Sequence, residues 1–421
     1  MVFGIILPLY LRWSKMVISN AVVCDVNGEK KADVRIENGI ITEIGTELKD
    51  AEIIHANGAY FMPLLVDANV RLQDSTLNSK NIKAISKEAL RGGIGHIILN
   101  ADSTPAIDSE VVLEYAQNNL DKLKGAKVDL MLNTLKEDAT LSNIAILLKK
   151  GAVAPYMSTI AKNNLTIKIA EYVKMYGVTL FCKAEDNSLI NNGVMLEGDV
   201  SSKLGLAGIP DLSEVLHVSR MIEIARHFGI KILFKSIASP RSIYLIDKAK
   251  KEGVDVRCEV SIHHLLHADE ACENFNTTAK LDPPLACRSD VLLLQEALKN
   301  NQIDSLTVLH QPNSPVNKEV AFYDAHYGCE ALSDALPLYY TKLVQTQMLD
   351  MTELLKLTVK NPAKNIGLEA GVIEVGQKVN ALLFNPHVKV MVDNKQSLYD
   401  GEELSGKVVM SFDGAKTSKF L

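Results

Sequence analysis

The sequence predicts an α/β fold, a (β/α)8 TIM-type barrel joined to a small composite β-sandwich formed by both chain ends. Three observations predict it. Apolar strand patterns alternate with amphipathic helical patterns through the middle of the chain, as repeated β-α units on a parallel sheet do. Both ends read as strands punctuated by Gly and Asn. The 421 residues exceed one ordinary domain and suit a barrel of about 250 residues plus a smaller module.

At the first end, MVISNAVVCD and ADVRIENGIITEIG alternate apolar and polar residues around turns at Asn27-Gly28 and Asn38-Gly39, the second a hairpin signal. In the middle, candidate strands are HIILN (96–100), VDLMLN (128–133), VTLFC (178–182), IKILF (230–234), VRCEVS (256–261) and LTVLH (306–310). Between them, SEVLHVSRMIEIARHF repeats apolar residues at helical spacing, and SIYLIDKAKKEG ends on a glycine stop. The number of units favours a closed barrel over an open doubly wound sheet, and no GxGxxG follows the first strand. At the far end, GVIEVGQKVNALLFNP, VKVMVDN and GKVVMSF read as strands. The expected division is an extension or disordered tail at 1–15, a β-module from 16–62 and 366–421, and a barrel at 63–365.

Composition narrows the function. Hydrophobic residues make up 47% and aromatics only 5%, the aliphatic mixture of a buried parallel sheet. The formal net charge is −6 with no Lys/Arg block, which argues against a nucleic-acid partner. The six cysteines form no CxxC pair, so zinc-finger and redox readings fail and free thiols in a reducing cytoplasm are expected. The apolar run at 2–11 is shorter than the about 20 residues that span a bilayer. Arg12 and Lys15 follow it, whereas a signal peptide carries its positive charges first. A cytoplasmic protein without a membrane partner is the expectation.

Chemistry in such a barrel sits at the C-terminal ends of the strands. The first strand region, FMPLLVDANVRLQDS (61–75), resembles the P-G-[LIV]-[LIV]-D-x-H-x-H-[LFM]-R strand of dihydroorotases and related cyclic amidohydrolases. Pro63, Val66, Asp67 and Leu72 fit; Asn69 and Arg71 stand at the two His positions and Gln73 at the Arg position. GAVAPYMS (151–158) resembles the family's GAVAFSDDG, with Met157 and Ser158 at the Asp positions. FCKAEDNSLINNGVMLEGDVSSKLGLAGIP (181–210) keeps Ala184, Glu185, Asp186 and the Gly208-Ile209-Pro210 triplet but has Lys183 at the ligand His. Ser236 replaces the His of H-V-S-T, with Lys235 beside it. EVSIHHLLHADE (259–270) is close to E-V-T-P-H-H-L-L-x-x-D-E. KLDPPLACRSD (280–290) resembles K-x-N-P-P-L-R, with Asp282 for Asn and Ala286 for Arg. LTVLHQPN (306–313) resembles A-T-D-H-A-P-H, with Leu309 for the catalytic Asp. YGCEALSDALPL, NPAKNIGL and GVIEVGQKVNALLFNP carry the likeness to the end of the chain.

The resemblance implies the amidohydrolase fold and, in active relatives, a zinc site, an Asp general base, and Arg and Asn groups that hold a substrate carboxylate. Zinc takes neutral imidazole, thiolate or carboxylate, lowers the pKa of bound water and polarises a carbonyl. Asn69, Arg71, Met157, Ser158, Lys183, Ser236 and Leu309 stand where those groups belong, and Gln73, Asp282 and Ala286 where substrate is held. Two of these are cations, Met157 is too soft to replace a bridging carboxylate, and Leu309 cannot accept a proton. No cofactor is therefore expected. The sequence reads as a catalytically silent dihydroorotase homologue of pyrimidine biosynthesis, with aspartate carbamoyltransferase or further copies of itself as partners. The alternatives are an active cyclic amidohydrolase with a rebuilt site, converting carbamoyl aspartate to dihydroorotate, and a small-molecule sensor using the empty pocket.

Other polar residues have blander readings. His263, His264 and His267 resemble a metal cluster in spacing, but packing and hydrogen bonding is the preferred account. Cys182 beside Lys183 reads as a buried strand thiol rather than a nucleophile. Asp67, Glu185 and Asp186 are acids without a metal. Arg71 and Lys183 are expected to supply the missing positive charge by pairing with Asp67 or another barrel acid.

Overall fold

A computed structural model describes residues 9–11, 15–120, 123–414 and 416–420. Eight parallel strands form the barrel: β1 (Leu65–Val70), β2 (Ile94–Leu99), β3 (Lys127–Asn133), β4 (Ala154–Met157), β5 (Thr179–Lys183), β6 (Lys231–Lys235), β7 (Val256–Ser261) and β8 (Ser305–Thr307). They are hydrogen-bonded in sequence order from β1 to β8. The sequence patterns fall on these strands with ends shifted by a few residues. The largest shift is at β8, which was expected over 306–310 and stops at Thr307. There the Val308 amide leaves the ladder for the Asp67 carboxylate, and Leu309 turns to φ +44°.

Asp67 closes the ring. Its carboxylate on β1 accepts the Thr307 hydroxyl at 2.7 Å and the Val308 amide at 2.9 Å, both at the end of β8. Just beyond, the Arg71 amide donates to the His310 carbonyl at 2.9 Å. A carboxylate can bridge this seam because it offers two acceptor oxygens to donors that no strand partner satisfies.

The helices face the barrel with their apolar stripes. Ser79–Arg91 starts where the Asn78 side chain accepts the Asn81 amide, and it buries Ile82, Ile85 and Ala89 at helical spacing. The expected 213–228 helix is Leu212–Phe228, ended by Gly229 at φ +63°, a left-handed cap that glycine adopts without a Cβ clash. Among the described residues no helix is long and apolar enough to cross a membrane.

The chain ends build a second sheet of nine strands. Its order is Leu9–Leu11, Lys416–Lys419, Glu403–Asp413, Asn380–Met391, Tyr60–Pro63, Lys15–Asp25, Gly28–Glu37 and Ile40–Gly45, with Ile53–His55 beside Lys15–Asp25. The turn at Asn38-Gly39 has positive φ at both residues, as a tight hairpin turn requires. Strand alternation gives this sheet two apolar faces. Phe61, Ala381 and Leu383 line a small core of its own, while Met62, Leu382 and Phe384 face the barrel core. Three details differ from the sequence reading. Inside the stretch expected to be a tail, Leu9–Leu11 adds an edge strand and Lys15 opens the next one; residues 1–8 and 12–14 lie outside the described residues. The expected strands at 371–386 and 388–394 are one bulged strand from Asn380 to Met391, because partner Glu403–Asp413 runs past the interruption. Residues 61–63 of the first barrel-strand pattern belong to the chain-end sheet, paired with Asn380–Met391.

Candidate functional site

The C-terminal ends of the barrel strands meet around a cleft of about 310 Å³, counting its open mouth. Asn69, Arg71, Tyr156, Lys183, Lys235, Ser236 and Asp282 are among its walls. Alternation on the first strand explains why Asp67, Asn69 and Arg71 share one side. Each polar group has been given a protein partner.

Asn69 donates from Nδ2 to Ser236 Oγ at 2.6 Å and to Glu259 Oε1 at 2.7 Å, and its Oδ1 accepts from Asn100 Nδ2 at 2.9 Å. Two positions that the family resemblance assigns to metal ligands, Asn69 and Ser236, thus bond to each other. Ser236 sits at φ +51°, an uncommon conformation for a non-glycine residue, directly after β6. Arg71 reaches Asp102 Oδ2 from Nη2 at 3.0 Å and Nε at 3.4 Å, and the Tyr156 hydroxyl lies 3.4 Å from the same Nη2. Lys183 bridges Glu185 Oε1 at 3.0 Å and Asp282 Oδ2 at 2.8 Å. Arg71 and Lys183 do pair with acids of the barrel mouth; the partners are Asp102, Glu185 and Asp282, while Asp67 is spent on the seam.

The central cation is Lys235. Its Nζ donates to the Ala68 carbonyl at 2.6 Å and to Asn100 Oδ1, and sits 5.1 Å from the Tyr156 ring centroid and 5.7 Å from that of Phe181. Burial pulls its pKa down against the attraction of Glu259 and Asp67. The same burial raises Glu259 and Asp67, and Glu259 Oε2 has no hydrogen-bond partner among the described residues. Lys183 behaves differently. Burial opposes its charge, but Asp282 and Glu185 outweigh that and raise its pKa. Asp282 ends below its ordinary value, since Lys183 and Arg71 overcome its burial, whereas burial keeps Glu185 raised.

The remaining positions scatter. Met157 is buried in the apolar barrel core, and Leu309 is buried as well. Ser158 Oγ donates to Asn133 Oδ1 at 2.9 Å. Ala286 lines a neighbouring pocket of about 460 Å³ walled by Leu196, Ile209, Pro283 and Pro284. Gln73 is exposed on the turn Gln73–Ser75 and does not line the cleft. His263 and His264 are held by hydrogen bonds, and His267 packs against the Tyr399 ring. His263 bonds to the Val308 carbonyl at 2.8 Å and the Tyr399 hydroxyl at 3.0 Å, and His264 to Ser261 Oγ at 2.7 Å and the Pro283 carbonyl at 3.0 Å. Cys182 lies 3.4 Å from His217 Nε2, and burial pushes the thiol up to about 12, so it is no thiolate at neutral pH. Reading only family positions misses Lys235, Asn100, Asp102, Tyr156 and Glu259. Listing every polar residue at a strand end would have found them.

The donors present do not fit a zinc ion. Zinc needs several neutral imidazoles, thiolates or carboxylates converging on one point. Among the described residues no group of three or more His, Cys, Asp or Glu is placed to hold a metal. Three cationic side chains, Arg71, Lys183 and Lys235, line the cleft instead.

No family model matches this chain. Curated relatives do match over nearly its whole length. A dihydroorotase of Caldanaerobacter subterraneus subsp. tengcongensis is 33% identical over 414 residues, covering 94% of this chain and 95% of the relative. One from Elusimicrobium minutum is 35% identical over 402 residues, covering 93% and 91%. Among solved structures, an L-hydantoinase (dihydropyrimidinase) from Arthrobacter aurescens superposes with a TM-score of 0.84 at 21% identity, covering 96% of this chain and 95% of that one. A D-hydantoinase gives 0.83 at 16% identity, covering 96% and 97%. The structures share the fold, and the identity over nearly full length with named dihydroorotases settles the rest: the chain belongs to the dihydroorotase family.

Proposed function

We propose that this chain is a dihydroorotase homologue that does not catalyse interconversion of carbamoyl aspartate and dihydroorotate, and that serves pyrimidine biosynthesis as a structural or regulatory partner of aspartate carbamoyltransferase. One observation carries the reading. Where the reaction needs a Lewis acid and a base, the strand ends offer Arg71, Lys183 and Lys235, each bonded to groups of the protein. Leu309 is buried and offers no acceptor at the position that resembles the general base. The frame around these positions is internally bonded, with the Asp67 seam and the His263 and His264 hydrogen bonds formed, as suits a protein retained for its shape and contacts.

The test joins three measurements on purified full-length protein. Elemental analysis is expected to find zinc far below one equivalent. Assays in both directions with carbamoyl aspartate and dihydroorotate are expected to stay at the buffer rate. A tagged chain expressed in its own cell is expected to bring down aspartate carbamoyltransferase. Stoichiometric zinc with turnover would establish the rebuilt active enzyme instead. A pull-down that never contains the transferase removes the partner.

A further inference from the structure

Three lysines among the described residues are buried at their side-chain ends. Lys318 donates to three backbone carbonyls, of Thr277, His326 and Gly328, at 2.6, 2.9 and 2.7 Å, so all its protons are spent on fixing loops. Lys280 donates to the carbonyls of Phe322 and Tyr323 and lies over the rings of Phe322 and Tyr327. Lys235 alone of the three lines the cleft at the barrel mouth. It also differs from its neighbours Arg71 and Lys183: among the described residues no carboxylate lies within ion-pair distance of it, and its two acceptors are the neutral Ala68 carbonyl and Asn100 amide. A buried ammonium whose hydrogen-bond acceptors are neutral, with the Tyr156 and Phe181 rings beside it and Arg71 of like charge nearby, gives up its proton more readily than an exposed lysine, although Glu259, Asp102 and Asp67 pull the other way; a neutral lysine is a nucleophile.

The same cleft holds an anchor for an anion. Arg71 uses Nε and Nη2 on Asp102 and Tyr156, leaving Nη1 without a protein acceptor among the described residues. Lys183 uses two of its three N–H groups. We propose that Lys235 is an amine nucleophile that forms an imine with small 2-oxo carboxylates, whose carboxylate end is received by Arg71 and Lys183. In this step the Nζ lone pair attacks the 2-oxo carbon. The carbonyl oxygen takes up both amine protons and leaves as water, and a C=N bond replaces C=O. No oxidant or metal takes part. The proposal is independent of the silent-homologue reading, because loss of cyclisation neither requires nor forbids an amine in the cleft.

Borohydride trapping tests it. Full-length protein is incubated with pyruvate or glyoxylate, with acetone as the uncharged carbonyl control, reduced, and digested for peptide mass mapping. The expected result is one reduced adduct per chain, mapped to Lys235, at least about tenfold above any surface lysine, given by both oxo acids and not by acetone. Mapping in the wild-type chain needs no variant. Lys235→Arg, which keeps the charge and removes the primary amine, should lose the adduct, and circular dichroism reports whether it folds. Labelling spread evenly over surface lysines, an adduct that persists in a folded Lys235→Arg chain, or no adduct at Lys235 overturns the proposal. Zinc content and cyclisation activity are read separately, so failure here leaves the previous section standing.

Discussion

Replacing Lys183 by Met tests whether the barrel mouth is held together by charge. Lys183 Nζ lies 2.8 Å from Asp282 and 3.0 Å from Glu185, and the three side chains are 21%, 20% and 15% exposed. At about 4 Å between charge centres and an effective dielectric near 20, each attraction is worth about 4 kcal/mol gross. Desolvation of all three groups cancels much of this in the intact triad. Removing the lysine alone restores none of that cost and leaves two carboxylates facing each other. Breaking a buried pair from one side costs about 3–5 kcal/mol, and partial exposure places this case near 3. Lys183→Met should therefore lower the urea midpoint strongly at pH 7 and much less at pH 4.5, where the carboxylates protonate. The variant that also carries Glu185→Gln and Asp282→Asn should recover to within about 1 kcal/mol of wild type, since no uncompensated charge remains. Midpoints by circular dichroism at both pH values decide it. A loss under about 0.5 kcal/mol, or the same loss in the neutralised background, would refute the argument.

Asp67→Asn should destabilise the barrel by about 1–3 kcal/mol, because an amide offers a donor to the Val308 amide or the Thr307 hydroxyl; an unchanged thermal midpoint would show that the seam does not depend on it. Zinc and EDTA should leave the thermal midpoint where it is, since a ligand stabilises only by binding the folded state, and a rise with zinc would contradict the poor fit of the donors. Stability should increase as pH rises from about 4 to 6.5. Burial lowers His217 and His264 to about 4 and His263 and His310 to about 3, from 6.5. Such groups bind protons in the unfolded chain and not in the folded one, so their contribution is present above 6.5 and lost as pH falls, about 3 kcal/mol each for His217 and His264 as an order of magnitude. Glu214 and Glu259 oppose them. Burial raises both from 4.5 to about 7, and it raises Asp67 as well, so these acids favour folding at low pH and their contribution fades as pH climbs through that window. The four histidines outweigh these acids, and Glu214→Gln should steepen the rise; a flat urea-midpoint profile would show that they do not.

Period and punctuation made most of the fold legible. VRCEVS is β7 to the residue, and Asn38-Gly39 is the hairpin turn that its dipeptide announces. The misjudged places turn on long-range partners: Asp67 takes the Val308 amide at the end of β8, and Glu403–Asp413 carries Asn380–Met391 past the interruption as one strand. The site was legible, by the resemblance, as a set of replaced positions. Each replaced position could be judged by its own chemistry, and Arg71 and Lys183 could be assigned to counter-charge. Their partners could not be named, because Lys183 and Asp282 are 99 residues apart by numbering and meet only when β5 ends beside the loop that carries Asp282.

The sequence by itself determined the family, the barrel and the residue types at the strand-end positions, since local periodicity and residue chemistry are properties of the chain. Only the tertiary structure decided what fills that space. Asn69 bonds to Ser236, Lys183 to Asp282, Arg71 to Asp102, and Lys235 stands between two neutral acceptors. The physical reason is that hydrogen bonds and ion pairs of this kind depend on ångström distances between strand ends far apart in sequence, and folding alone brings those ends together.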